Sequence, residues 1–233
     1  MAEYPVNLDT WEIRPVADGR KHQLRVPVVT PRANRAFFAD QAWCDGRSTY
    51  HELAYDVSME EDGAHFLVSG DQNWDGPVRY PYGQVGDRLW VREALWRSGC
   101  LNCGGIHYVA DMPGPPSPMY HRVPNAQMPR ELSRLTLRVK GVRVERAHDI
   151  SDQDIDAMNT WAYYTQLVGR AYDRFEDVAT RMSKRLCPTA RVLMPRGVFA
   201  AWWDRRYGRR GLGWDTNPWV WVYDFAVRGR QGA

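Results

Sequence analysis

The stretch that most constrains the fold lies at residues 81–96, which read PYGQVGDRLWVREALW. Gly83 and Gly86 favour a turn at the start of this stretch. Leu89 and Val91 then alternate with charged or aromatic residues, which is the two-residue period of a half-buried strand. The stretch therefore predicts a turn followed by a strand that buries one face in a core.

Two further segments continue this β pattern, at residues 128–151 and 217–225. In the first, Leu135, Leu137 and Val139 share one face of a predicted strand. The other face carries polar or basic residues, namely Arg134, Thr136, Arg138 and Lys140. Gly141 permits a bend before the pattern resumes. We therefore expect a strand pair with a basic outward face, and a closing strand in NPWVWVYDF.

Together the three segments resemble the ASCH-domain proteins common in bacteriophage genomes, a branch of the PUA-like β-barrels. In that family a GDRLWVRE-type strand, an MPR...SRLTLRV-VRVER strand pair, an I-S-x-x-D helix start and a closing NPWVWV-F strand occur in this order. The match covers most of residues 81–225 and is poorer over residues 1–80. The resemblance implies an α+β fold, a PUA-like mixed β-barrel with flanking helices, encoded by a phage or prophage.

The chain of 233 residues fits a single domain, with less regular regions, better than two independent ones. We interpret residues 36–80 as an insertion packed on the barrel, or alternatively as barrel strands of an unfamiliar pattern. HFLVSGDQNW at 65–74 favours a strand there. Residues 98–127 are rich in Gly and Pro and are expected to form a loop, with one strand in GGIHYVAD.

Two helices are predicted after the strand pair. Ser151 followed by Asp154 is typical of a helix start, and apolar residues then recur at helical spacing as far as Ala162. This helix is expected to continue in pieces to about Leu186. Pro195 opens a second helix with an aromatic stripe at Phe199, Trp202, Trp203 and Tyr207. We place this stripe, and also Trp90, in the core.

The composition suits a nucleotide or nucleic-acid surface. Three of the 31 cationic residues are lysines and the other 28 are arginines, and eleven tryptophans accompany them. Arginine grips phosphate with two donors and stacks on flat rings. The alternative is a coding bias that replaces lysine by arginine throughout. No twenty-residue apolar run or basic leader is present, which favours a cytosolic protein without membrane contact.

A short loop, DGRKHQLRVP, resembles the G-x-K-T-x-T-R loop at the mouth of the ASCH barrel. Lys21 and Arg25 fall on the family's lysine and arginine. The resemblance implies a cationic mouth to which Arg92 and Glu93 are further candidates, although these two residues can instead pair with neighbouring strands. Together with the basic strand face at Arg134, Arg138 and Lys140, the mouth predicts binding of single-stranded nucleic acid or a nucleotide.

Two other functions remain open. One ASCH branch removes the acyl group from N4-acetylcytidine with a lysine base, a hydroxyl nucleophile three residues later and a helix glutamate. Lys21 matches the lysine, but Leu24 and Met158 occupy the other two positions, which argues against an enzyme. Substitutes would be Thr30, Ser151 or a water as nucleophile, and Asp154 or Asp156 as carboxylate. A third function is a protein-interaction module that binds a host protein through its Trp-rich insertion.

The cysteines allow a structural zinc site or free thiols. Cys100 and Cys103 form a C-x-x-C knuckle with small neighbours, a turn that can bring two thiolates to one zinc. A complete site needs two more ligands, either Cys44 and Cys187 or His107 and His121. We therefore expect no cofactor, or one structural zinc.

Overall fold

The computed structural model describes residues 1–28, 54–61, 63–68, 72–73, 78–99, 105–112, 114–160, 162–164 and 195–230. The strands are β1 (Glu3–Asn7), β2 (Gln23–Pro27), β3 (Ala54–Glu60), β4 (Gly63–Val68), β5 (Gln72–Asn73), β6 (Arg88–Arg92), β7 (Leu95–Ser98), β8 (Ile106–Tyr108), β9 (Tyr120–Val123), β10 (Leu135–Arg146) and β11 (Trp219–Arg230). The helices are α1 (Thr10–Ala17), α2 (Asp152–Met158) and α3 (Pro195–Tyr207).

A five-stranded sheet in the order β1-β6-β10-β11-β2 forms the centre of the molecule. β1 pairs with β6 in parallel, and the other neighbours are antiparallel. Residues of both edge strands line one small cavity, so the sheet curls until β1 approaches β2. Among the described residues no backbone ladder joins these two edges. The fold is therefore α+β, as expected, with a strongly curved sheet.

The predicted alternation is confirmed in β6 and β10. Leu89 and Val91 are buried, as are Leu135, Leu137 and Val139, all on the inner side of the sheet. β10 is a single strand of 12 residues, and its pairing with β11 shifts register between Val139 and Gly141. The expected bend is thus an irregularity within one strand.

The expectation that Trp90 belongs to the core is wrong. Its neighbours Leu89 and Val91 point inward, so Trp90 points outward and is only half-buried. The guanidinium groups of Arg92 and Arg130 lie 4.7 and 5.7 Å from its ring. Those contacts, and not a buried apolar site, hold the indole.

The strand β11 separates two hydrophobic clusters. Trp221, Tyr223 and Phe225 face the inner cluster, where they meet the core residues of β6 and β10. Val220 and Val222 face the opposite way, toward the aromatic stripe of α3 and the apolar side of α2. The stripe is buried as predicted, its members Phe199, Trp202, Trp203 and Tyr207 being at most 6% exposed.

A side-chain cap and a left-handed residue set the two ends of the helix α2. The hydroxyl of Ser151 accepts a hydrogen bond from the backbone N–H of Asp154, which confirms the predicted cap. The helix ends at Asn159, a residue in the left-handed conformation with φ 48°. The predicted continuation toward Leu186 lies largely outside the described residues.

Two small sheets flank the main one, in the orders β3-β4-β5 and β8-β7-β9. β4 and β8 confirm the strands predicted in HFLVSGDQNW and GGIHYVAD. β9 was not expected, because it lies in the Gly- and Pro-rich region predicted as a loop. Ala64 of β4 and Val78 belong to the inner cluster, so residues of the 36–80 region contribute to the main core. Within the described part of the chain, no helix is long and apolar enough to cross a bilayer.

Candidate functional site

A cleft of about 390 Å³ opens beside the edge strand β2, between this strand, the turn before β6 and the end of α3. A volume of this order suits a small organic ligand. Its wall combines aromatic rings with guanidinium groups, the lining residues being Asn7, Val26, Pro27, Val78, Arg79, Pro81, Tyr82, Arg206, Tyr207, Arg210 and Trp221.

Tyr82 is the aromatic residue best placed to meet a ligand in this cleft. It is half-buried, whereas Trp221 and Tyr207 are 1% and 6% exposed. Its ring packs edge-on against Tyr223 at 5.7 Å, and its backbone N–H donates to the Tyr223 hydroxyl at 3.3 Å. These contacts fix the ring, so stacking a flat ligand on it costs little side-chain entropy.

The three arginines of the cleft differ in how far they are neutralised. Arg206 pairs with Asp9 at 2.7 Å and donates to the Tyr207 hydroxyl at 3.1 Å. Arg79 and Arg210 are exposed, and no ion pair joins either of them to another residue in the described ranges. Two guanidinium groups at the opening are therefore available for an anion, while Arg206 is held in place.

A second cavity of about 10 Å³ shares part of the cleft's lining and reaches Glu12, Leu24 and Met158. Glu12 is 2% exposed. Its Oε2 atom accepts a hydrogen bond from the Asp9 backbone N–H at 2.7 Å, and its Oε1 atom lies 3.5 Å from Lys21 Nζ. A buried carboxylate and a buried amine thus lie near the floor of the cleft.

Lys21 is completely buried. Its Nζ atom donates to the Met158 carbonyl at 2.9 Å and approaches the Met158 sulfur at 3.6 Å. Burial lowers the pKa of the Lys21 amine to about 8, and the Glu12 carboxylate opposes that shift. The amine is accordingly much closer to neutrality at pH 7 than an exposed lysine.

Comparison of the chain with protein-family models, curated proteins and solved structures found no match. The site therefore has to be interpreted from its own residues.

Lys21 and Arg25, predicted together at a mouth, both contact α2, but neither side chain reaches solvent. Lys21 meets Met158 at the end of the helix. Arg25 is 2% exposed and pairs with Asp154 at 3.2 Å and with Glu145 at 2.6 Å. A phosphate at the surface of the cleft would meet Arg79 and Arg210, not these two cations.

The Arg25 contacts belong to a network that anchors α2 on the outer side of the sheet. Arg143 adds ion pairs to Glu145, Asp154 and Asp224 at 3.0, 2.9 and 2.7 Å. Burial alone would raise the pKa of Asp154, but hydrogen bonds from Gln23 and Ser151 and the nearby arginines lower it to about 2. These charges are satisfied by one another, so the network has a structural role.

Glu93 and Arg134 form a separate pair away from the cleft. Arg134 donates to both carboxylate oxygens of Glu93, at 2.8 and 2.9 Å, and it also pairs with Asp111. Its guanidinium lies 3.9 Å from the centre of the Tyr108 ring. Of the predicted binding residues, Glu93 and Arg134 thus neutralise each other. Arg138 and Lys140 are exposed on β10.

Several residues of the cleft and of the adjoining small cavity were missed by sequence reasoning. Glu12 had a detectable signal, because Asp9 followed three residues later by Glu12 is the pattern of a helix-capping box. Arg206 lies in the last turn of a predicted helix and Arg210 three residues beyond its end, so only their closeness in sequence links them. Arg79 and Tyr82 precede the best-predicted strand, but no local pattern connects them with α3.

The structure also locates the catalytic substitutes that the sequence offered. Leu24 lines the small cavity and brings no hydroxyl to it. Ser151 caps the opposite end of α2 from Met158, and seven helical residues separate those ends by roughly 10 Å. Asp156 is exposed and lines a different hollow, beside Arg196 and Trp214. Thr30 lies outside the described residues.

The candidate zinc ligands are only partly described. Cys44, Cys100, Cys103 and Cys187 all lie outside the described residues. His107 pairs with Trp96 and His121 with the next residue, Arg97, so the two histidines point to opposite faces of their sheet. They cannot jointly complete one site in this arrangement. No cluster of three metal-binding side chains occurs within the part of the chain that is described.

Proposed function

We propose that this protein binds a nucleotide or single-stranded nucleic acid, with one base in the cleft beside Tyr82 and a phosphate at Arg79 and Arg210. The observation that carries the proposal is a fixed aromatic ring and two guanidinium groups around a cavity of about 390 Å³, with no ion pair from either guanidinium to another described residue. Flat bases stack on such rings, and arginine holds phosphate by charge and by paired hydrogen bonds.

The curved sheet supports the PUA-like, ASCH-type architecture that the sequence resemblance implies. Its two edge strands meet around the small cavity, and α1 connects them. The cleft opens above that cavity, where the resemblance implies a ligand site. A phage-type protein of this architecture would recognise its ligand through shape and stacking, since the polar groups beneath the cleft are largely paired with one another.

Nucleotide binding provides the direct test. Titration with AMP, GMP, CMP and UMP at low salt, followed by tyrosine and tryptophan fluorescence, is expected to show saturable binding of at least one nucleotide. Tyr82→Ala should weaken it by about 5- to 150-fold, because stacking is worth about 1–3 kcal/mol per base. Tyr82→Phe keeps the ring and should bind as the wild type does. Absent binding, or affinity indifferent to Tyr82→Ala, would refute the proposal.

The buried pair of Glu12 and Lys21 gives one observation in favour of the rival function, an amidohydrolase acting on N4-acylated cytosine. Glu12 supplies a carboxylate 3.5 Å from the Lys21 amine, although residue 24 still lacks a nucleophilic hydroxyl. We expect N4-acetylcytidine to remain intact, or to be hydrolysed only at a vestigial rate, since general-base assistance alone contributes about 10²- to 10⁴-fold. Rapid release of cytidine, detected by chromatography and lost in Lys21→Ala, would establish the enzyme instead.

A further inference from the structure

The outer side of the five-stranded sheet is divided into two halves. One half, around Val220 and Val222 of β11, is covered by α2 and α3. The other half carries Arg88 of β6, Arg138 of β10 and Arg228 of β11. We call these three residues the outer arginine face.

Strand register brings the three arginines together. Arg88 and Arg138 are direct partners across the β6–β10 ladder. Arg228 lies in the irregularity of the β10–β11 ladder, between the residues paired with Thr136 and Leu137. The guanidinium groups of Arg88 and Arg228 both approach the sulfur of Met1, at 3.1 and 4.0 Å, which places them on the same side of the sheet.

The outer arginine face is poorly neutralised. Glu3 lies 3.6 Å from Arg88, but it also pairs with Arg130 at 3.2 Å. No ion pair joins Arg138 or Arg228 to any other residue that the structure describes. Like charges directly opposite each other destabilise a strand pair, so the Arg88–Arg138 register is unfavourable to the extent that Glu3, which is shared with Arg130, leaves it uncompensated.

An aromatic ring lies beside these charges. Trp90 is two residues from Arg88 on the same strand and pairs with Thr136, two residues from Arg138. It therefore faces the same side of the sheet, with the guanidinium groups of Arg92 and Arg130 against its ring. Cations next to an indole are the combination used to bind single-stranded nucleic acid.

We infer that the outer arginine face binds the sugar–phosphate backbone of a single-stranded polynucleotide, independently of the cleft beside β2. β6, β10 and β11 are adjacent strands, so the three arginines extend over roughly 10 Å. That span exceeds one phosphate group and fits successive phosphates of a chain. Trp90 is half-buried between strands and does not project as a membrane anchor would, which favours nucleic acid over a lipid surface.

This inference adds a second surface to the proposed function, one that contacts a polymer and not a single nucleotide, and two probes keep the outcomes for the two surfaces apart. Fluorescence anisotropy of labelled U20 tests the outer face, and UMP titration tests the cleft. Arg138→Ala combined with Arg228→Ala should weaken U20 binding several-fold and lower the salt slope by about 1.4, since each phosphate contact on a single strand contributes about 0.7. UMP binding should not change.

A matched control removes the same charge elsewhere. Arg97→Ala combined with Arg122→Ala takes two exposed arginines from β7 and β9 and should leave the U20 salt slope as in the wild type. An unchanged U20 slope in the Arg138 and Arg228 variant would overturn the inference. So would loss of binding to phosphatidylserine vesicles in that variant with U20 binding intact, because the face would then serve a membrane. If U20 binding falls as expected but UMP does not bind, the inference about the outer arginine face is supported and the proposed function of the cleft is refuted.

Discussion

At the scale of single residues, burial decides what the charged groups of this protein can do. Lys21 and Glu12 lie 3.5 Å apart with almost no contact with water, and the pKa of Lys21 falls to about 8. An unfolded lysine keeps its proton up to about pH 10.4. Between these two values the unfolded chain therefore binds a proton that the folded protein has released, and folding becomes more favourable as pH rises.

This difference predicts a pH-dependent stability that one substitution removes. In the wild type, the contribution of Lys21 to the free energy of unfolding should rise by about 2 kcal/mol between pH 7.5 and 9.5. This figure follows because each pH unit between the two pKa values contributes about 1.36 kcal/mol. Lys21→Met fills similar space without a titrating group and should lack this rise. Urea unfolding of both proteins at the two pH values measures the difference. An identical pH response in the two proteins would contradict the buried-amine explanation.

Residue-level prediction from the sequence succeeded where a local pattern exists. The cap at Ser151 was visible because capping depends on residues three apart, and Glu12 follows the same rule from Asp9. The burial of Arg25 was not visible, because it depends on Asp154 and Glu145, which are more than a hundred residues away. A cation in a strand looks the same in the sequence whether water or a carboxylate surrounds it.

At the scale of elements, one carboxylate fastens α2 to the sheet. Asp154 accepts from Gln23 at 2.6 Å and pairs with both Arg25 and Arg143. Its pKa of about 2 lies below the value near 3.9 of an unfolded chain. The ionised Asp154 therefore stabilises the fold fully above about pH 3.9. This stabilisation is lost as the pH falls from about 3.9, the pKa in the unfolded chain, to about 2, the pKa in the folded protein.

Replacing this carboxylate should loosen the helix. We expect Asp154→Asn to lower the free energy of unfolding at pH 7 by about 2 kcal/mol, because Arg25 stays buried with one charged partner fewer. The difference from the wild type should narrow between about pH 5 and pH 2.5, because the unfolded chain then binds a proton at Asp154 while the folded protein, with its lower pKa, still largely does not. Asp156→Asn, on the exposed side of the same helix, is the control and should be nearly neutral. A penalty that persists unchanged at pH 2.5 would rule out the charge explanation.

Elements were predictable in proportion to their amphipathic pattern. β6, β10 and α3 bury one side each, and their apolar spacing therefore shows their structure directly. β9 has the burial pattern of a strand with little contact to a core, which leaves almost no periodicity to detect. Its strand geometry comes from pairing with β7, and pairing between distant segments has no local signal.

At the scale of the whole molecule, β11 couples the two hydrophobic clusters because its alternate residues enter both. Neither cluster can lose β11 without the other losing packing as well. The cleft depends on the same strand, since Trp221 lines it together with residues of α3. That cleft was not predictable from the sequence, because its members come from distant segments, at Asn7, Val26, Arg79, Arg206 and Trp221.

This coupling predicts cooperative unfolding. Tryptophan fluorescence, to which buried tryptophans of both clusters contribute, and far-UV circular dichroism should give the same urea midpoint. Val222→Ala should move both midpoints downward together, at a cost of about 2 kcal/mol for a fully buried side chain. Separate transitions for the two signals would show that the molecule does not unfold as one cooperative unit.

The strand order also fixes when the sheet can be completed during synthesis. β2 is an edge strand whose sheet partner is β11, and about 190 residues separate Pro27 from Trp219. At about 5–20 residues per second, β2 leaves the ribosome roughly 10–40 seconds before its partner exists. Its backbone donors and acceptors stay unpaired during that time, as on any open strand edge. This interval is when a chaperone, or β11 from another nascent chain, would compete for β2.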